Sequence, residues 1–136
     1  MRASSPTQVE PRVRARVAFV ADLLVLVAFV ALGRRSHDEG SGIEGFLRVW
    51  WPFAVALVVA TIATGLWRAP LEWRRATIAW IVTVALGMTL RLAVQGREFK
   101  PTFVIVTTVF VGAGMLGWRA ITRRVWARRL TRTAPG

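Results

Sequence analysis

The sequence predicts an all-α protein: a four-helix transmembrane bundle with both termini in the cytoplasm. Four apolar runs, at residues 17–33, 49–67, 76–95 and 102–118, each approach the roughly 20 residues with which a helix crosses a bilayer core. Hydrophobic residues make up 54% of the chain, and each run is apolar all round, as expected for burial in lipid. Arginine is unevenly distributed between the flanks of these runs, which predicts the orientation.

The elements follow in order along the chain. Residues 1–14 are polar and are predicted to be a disordered tail. Residues 15–118 form the predicted membrane domain. Within it, Pro52, Pro70 and Pro101 lie where the second, third and fourth helices would start, since proline is tolerated in a first helical turn. Residues 119–136 form a basic amphipathic tail that is expected to continue the fourth helix and then lie on the inner leaflet.

Two other architectures fit less well. A soluble protein with buried helices would need a polar outer surface, which runs this apolar and linkers this short do not supply. A cleaved signal peptide would use Arg12, Arg14 and Arg16 as its positive region and the small-x-small pattern at 31–33 as its cleavage site. The length of the apolar stretch and Asp22 within it argue against cleavage.

The positive-inside rule predicts the orientation from lysine and arginine in the short flanks. Thirteen of these residues would lie inside, five outside and Arg91 within a span. Tryptophans at both ends of the runs fit the headgroup level. The net charge of +12 is thereby explained by topology, and nucleic-acid binding is not predicted. The excess of arginine over lysine suggests a GC-rich genome and hence a bacterial plasma membrane. The inner set is Arg2, Arg12, Arg14, Arg16, Arg68, Arg74, Arg75, Arg119, Arg123, Arg124, Arg128, Arg129 and Arg132, and the outer set is Arg34, Arg35, Arg48, Arg97 and Lys100.

An intramembrane polar site is predicted from Asp22, Thr61 and Thr83. Asp22 lies roughly 9 Å into the first run, and the two threonines lie at nearly the same depth in the second and third. We expect Asp22 to accept hydrogen bonds from both threonines. Ionisable groups in a span suggest a function, here proton or ion handling. The simpler interpretation is a packing bond that fixes which helices touch.

A second candidate site is an outer polar vestibule between the first loop and the third run. Its arginine in the span, Arg91, can extend its side chain to the interface and meet Asp38 or Glu39. A structural ion pair and a substrate- or anion-binding arginine both remain open, and a solvated turn explains the loop as well. No metal site is predicted. The candidate residues are Arg34, Arg35, His37, Asp38, Glu39, Arg91 and Gln95.

No catalytic set is visible in the sequence, so an enzyme is not predicted, and no cofactor is expected. Residues 112–117 match G-x-G-x-x-G, but no acidic residue follows Glu98, so the match lacks the context of a dinucleotide site. Small residues at Thr83 and Gly87, and at Ala113 and Gly117, instead suggest close approach of helices. These stripes favour a homo-oligomer.

The basic tail has two interpretations. Its arginines can bind anionic lipids of the inner leaflet, or they can serve only as a topology signal. The lipid-facing residues of the tail are predicted to be Arg119, Arg123, Arg124, Arg128, Arg129 and Arg132.

The chain resembles an uncharacterised family of small prokaryotic membrane proteins, the domain of unknown function 3054, over roughly residues 15–120. Asp22, the Gly-Arg-Arg-Ser-His string at 33–37, Trp51-Pro52-Phe53, Trp80, Gly87-Met88 with Arg91, and Gly117-Trp118-Arg119 carry the likeness. The resemblance implies four spans and no assigned activity, and it transfers no functional residues.

The sequence therefore predicts an integral membrane protein of unknown activity, either a non-enzymatic accessory protein or a self-associating bundle. The alternative is a small oligomeric transporter or channel component that uses Asp22 and the outer vestibule around Arg91.

Overall fold

A computed structural model describes residues 14–35 and 42–133, which fold into four helices. These are α1 (Ala15–Arg35), α2 (Gly42–Thr64), α3 (Trp73–Gln95) and α4 (Pro101–Thr133). Each helix is long and apolar enough to cross a membrane, and the described residues contain no strand. The prediction of an all-α, four-helix transmembrane bundle is confirmed. The predicted N-terminal tail lies outside the described residues, apart from Arg14.

The helices form a ring in which helices adjacent in sequence pack against each other, and α1 packs against α4 to close it. Neighbours are antiparallel: Asp22 near the start of α1 contacts Arg119 late in α4, whereas Phe29 near the end of α1 contacts Phe110 earlier in α4. Phe29, Phe53, Phe103 and Phe110 fill the centre of the half nearer the α2 N-terminus, with ring centroids 5.7–6.3 Å apart.

Glycines let large side chains reach the helix backbones inside the bundle. A Cβ at Gly87 would overlap the ring of Phe53, and one at Gly112 would overlap the indole of Trp80. The Trp80 indole also donates to the Thr108 carbonyl at 3.0 Å, which ties α3 to α4. These glycines therefore serve packing within one chain.

The proline positions differ in part from the prediction. Pro101 begins α4 as expected, but Pro70 lies in the turn before α3, and Pro52 lies inside α2, which begins at Gly42. Membrane helices tolerate an internal proline when a neighbour satisfies the backbone group it leaves free. The free carbonyl is that of Arg48, four residues before Pro52, and Gln95 Nε2 donates to it at 2.6 Å.

The basic segment after Trp118 continues α4 without a break to Thr133. At 1.5 Å per residue, a helix of 33 residues is about 50 Å long, longer than a hydrocarbon core of about 30 Å. The last turns of α4 therefore extend beyond the bundle.

Candidate functional site

The most buried polar cluster joins α1 to α4 through Asp22 and Arg119. Arg119 Nη1 donates to Asp22 Oδ1 and Nη2 donates to Oδ2, both at 2.7 Å, so the pair is bidentate. The Trp118 indole donates to the same Oδ1 at 2.8 Å. Asp22 is 1% exposed and Arg119 is 0% exposed. A planar guanidinium matches a carboxylate in this fork geometry, which makes the contact strong and directional.

Arg119 also bonds to backbone on two further segments. Its Nε donates to the Pro70 carbonyl in the α2–α3 connection at 2.7 Å, and its Nη1 donates to the Met115 carbonyl at 2.7 Å. One side chain therefore connects α1, α4 and the turn that leads into α3. The Trp118 ring lies against the guanidinium, with Cζ 4.4 Å from the ring centroid.

The assignment of Arg119 to a lipid-facing tail is wrong. Thr107, Val111, Met115 and Arg119 recur every four residues on the buried side of α4, so the buried stripe continues past the apolar run. The other residues of the predicted lipid-facing tail are exposed: Arg123, Arg124, Arg128, Arg129 and Arg132.

The hydrogen bonds that we expected from Thr61 and Thr83 to Asp22 are also wrong. The Thr83 hydroxyl donates to the Ala79 carbonyl of its own helix at 2.7 Å. Thr61 Oγ1 is buried but has no hydrogen-bond partner. The bond of Thr83 to the carbonyl one turn back removes its need for a partner on another helix. The polar layer is thus an arginine–carboxylate pair and not a carboxylate–threonine set.

Four of the predicted vestibule residues lie at the opposite end of the bundle. Arg34 Nη1 donates to the Gly42 carbonyl at 2.9 Å, which links α1 to α2. Arg91 is half-buried, with Cζ 4.2 Å from the ring centroid of Phe103. Gln95 donates to the Arg48 carbonyl that Pro52 leaves free in α2. Arg35 is exposed. The predicted ion pair of Arg91 with residue 38 or 39 lies outside the described residues, as does His37.

Two apolar grooves run along the outside of the bundle. One, of about 460 Å³, lies between α3 and α4. The other, of about 600 Å³, lies between α1 and α2 at the end where α1 begins. In residues 14–35 and 42–133, no group of three or more metal-ligating side chains could hold a metal ion.

Four apolar helices around a buried ion pair define a multi-pass integral membrane protein. The chain belongs to the family described as Protein of unknown function (DUF3054), whose model matches residues 19–122. The resemblance seen in the sequence is thereby confirmed. No curated protein and no solved structure matches the chain.

Proposed function

We propose that this protein is a non-enzymatic, self-associating bundle of the bacterial plasma membrane, with both termini in the cytoplasm. The observation that carries the proposal is the α3–α4 groove and the open space beside Gly117 within it. A Cβ at Gly117 would meet no atom within 4 Å, in contrast to Gly87 and Gly112. Packing within one chain therefore gives no reason for a glycine at this position.

The groove has the composition of a helix–helix interface in lipid. Small residues on α4 leave its backbone accessible, and Trp73 and Trp80 of α3 form the opposite wall. Association of helices in a bilayer depends on small residues that let backbones approach closely. A helix from a second copy can enter this groove. The small residues of the lining are Gly112, Ala113, Gly117 and Ala120.

The small residues of the third span have a different role from those of the fourth span. Thr83 and Gly87 are buried, and Gly87 receives the ring of Phe53 from α2. In the fourth span, Ala113 is exposed and Gly117 lines the groove. The self-association proposal therefore rests on α4 rather than on both stripes.

Native mass spectrometry in mild detergent tests this proposal. We expect the wild-type protein to form a dimer or a larger oligomer, and the Gly117→Leu protein, whose side chain fills the groove, to be monomeric. The matched control is Ala28→Leu, which adds a larger side chain at an exposed position of α1 outside the groove. A wild-type protein that is only monomeric contradicts the proposal, as does equal dissociation by the control.

Transport is the alternative, and the contacts of Asp22 favour a structural role over it. Both carboxylate oxygens are held by Arg119, and one also accepts from Trp118, so an ion would have to displace a bidentate arginine. Proteoliposome flux distinguishes the two functions. Transport predicts a wild-type flux that Asp22→Asn and Arg91→Gln abolish in folded protein, and the structural role predicts no flux in any of the three.

The tail of α4 fits contact with anionic lipids on the cytoplasmic side. Its arginines are exposed between Arg123 and Arg132, and the chain has no Asp or Glu after Glu98 to neutralise them. Each basic residue near an anionic surface contributes about 1 kcal/mol of attraction. The same arginines supply much of the positive-inside bias that supports the proposed orientation.

A further inference from the structure

The α1–α2 groove combines an apolar floor with positive charge at one end. Phe19 and Val20 of α1 and Val58 and Ile62 of α2 line its walls. Arg16, in the first turn of α1, lines the end of the groove nearest the start of the helix. The groove therefore runs from the expected headgroup level towards the middle of the bilayer.

A second arginine lies close to the same end. Arg68 follows α2, and its Cζ is 4.7 Å from the ring centroid of Trp67, which lines the groove. Both Arg16 and Arg68 are exposed. The acidic groups described in this half of the bundle are already paired: Asp22 with Arg119 and Glu72 with Arg75, the latter at 2.7 Å. The mouth of the groove therefore has net positive charge.

Inside the groove lies a buried polar atom without a partner. Thr61 Oγ1 has no hydrogen bond, although Thr64 in the same helix and Thr77, Thr83 and Thr89 in α3 each donate to the carbonyl four residues back. A buried hydroxyl that makes no hydrogen bond costs free energy. Since Thr61 lines the groove, a ligand there can supply the missing acceptor.

We propose that this groove binds one anionic phospholipid. Its acyl chain lies along the apolar walls, its phosphate lies between Arg16 and Arg68, and an ester carbonyl accepts a hydrogen bond from Thr61. Basic pockets between membrane helices recognise anionic headgroups in this way. The proposal rests on the membrane placement of the bundle but not on its self-association, which uses the groove on the α3–α4 side.

Native mass spectrometry with added lipid measures this binding. The full-length protein in mild detergent is titrated with phosphatidylglycerol or phosphatidylcholine of the same acyl chains. Each arginine near an anionic headgroup is expected to change affinity roughly fivefold, so two give a preference of roughly 20- to 30-fold for phosphatidylglycerol. The Arg16→Gln/Arg68→Gln protein should lose this preference. Thr61→Val should weaken both lipids roughly two- to tenfold, because either lipid has an ester carbonyl.

The matched control is Arg74→Gln, which removes one charge at the same end of the bundle from an exposed position outside the groove. It is compared with the single variants Arg16→Gln and Arg68→Gln, which should each reduce the preference roughly fivefold. We expect the control to keep the preference. Equal wild-type affinity for the two lipids overturns the proposal, and so does an equal loss in the control, which would indicate diffuse attraction only. If the variants at Arg16, Arg68 or Thr61 lose their oligomers but keep their bound lipid, the groove binds a second copy of the chain and the lipid proposal is overturned. The mass spectrum resolves the oligomer mass and the lipid adducts separately, so a failure of self-association is distinguishable from a failure of lipid binding.

Discussion

Removal of one partner of the Asp22–Arg119 pair should destabilise the bundle at least as much as removal of both. Asp22→Leu leaves the Arg119 guanidinium with only the carbonyls of Pro70 and Met115. Arg119→Met leaves the Asp22 carboxylate with only the Trp118 indole. Each single variant therefore keeps one buried charge without its counter-ion.

The expected losses follow from the number of groups left without partners. Loss of one member of a buried ion pair typically costs about 3–5 kcal/mol. The double variant Asp22→Leu/Arg119→Met removes both charges, but the Pro70 carbonyl and the Trp118 indole lose their bonds at about 1–3 kcal/mol each. Apolar packing offsets part of that cost. We therefore expect the double variant to be at least as stable as either single variant, which corresponds to a coupling of about 3 kcal/mol or more.

Reversible unfolding in mixed micelles, followed by circular dichroism, measures these free energies. Arg123→Met is the matched control, because Arg123 is exposed on the same helix one turn further on, and it should change stability by less than about 0.5 kcal/mol. Losses that simply add in the double variant would refute the inference that the two charges compensate each other. An Arg119→Met variant with the same free energy of unfolding as the wild-type protein would refute it as well.

Three further predictions concern packing, backbone satisfaction and orientation. Gly87→Ala should cost about 1–3 kcal/mol in the same unfolding assay, because its Cβ would overlap a buried ring; an unchanged protein would show that α2 and α3 can separate there. Gln95→Leu should cost about 0.5–1.5 kcal/mol, and less once Pro52→Ala restores the internal donor of α2; an equal cost in both backgrounds would refute this role. Since the chain has no cysteine, Arg97→Cys and Arg132→Cys report orientation without background: an impermeant maleimide on intact cells should label only the former, and the reverse result would invert the topology.

The helices could be predicted from sequence because bilayer thickness sets a length that apolar runs must match. The ends were less predictable. Helix α2 begins at Gly42, ahead of its apolar run, so residues 42–48 are helical as well. The end of α4 at Thr133 could not be read from hydropathy, because arginine is a good helix former and does not stop a helix once lipid ends.

The partner of Asp22 was missed for a reason of geometry. Depth counted along one helix does not give the stagger between helices, so Arg119 counted as a flank although it lies level with Asp22 in the bundle. One signal was present: Arg119 lies four residues after Met115, in step with Val111 and Thr107. Thr83 misled because its hydroxyl bonds to the Ala79 carbonyl of its own helix, which leaves no trace in the sequence.

Two residues are not explained by contacts inside the bundle. The intramembrane charge of Asp22 is satisfied by Arg119, and Gly87 is accounted for by the ring that packs on it. Gly117 and Thr61 are different, because one has empty space beside it and the other has a buried hydroxyl without an acceptor. Each lines a different outer groove. A glycine without a neighbour is suited to a helix, and an unsatisfied donor in a groove with arginines at its mouth is suited to an anionic lipid, so the two grooves are expected to take two different ligands.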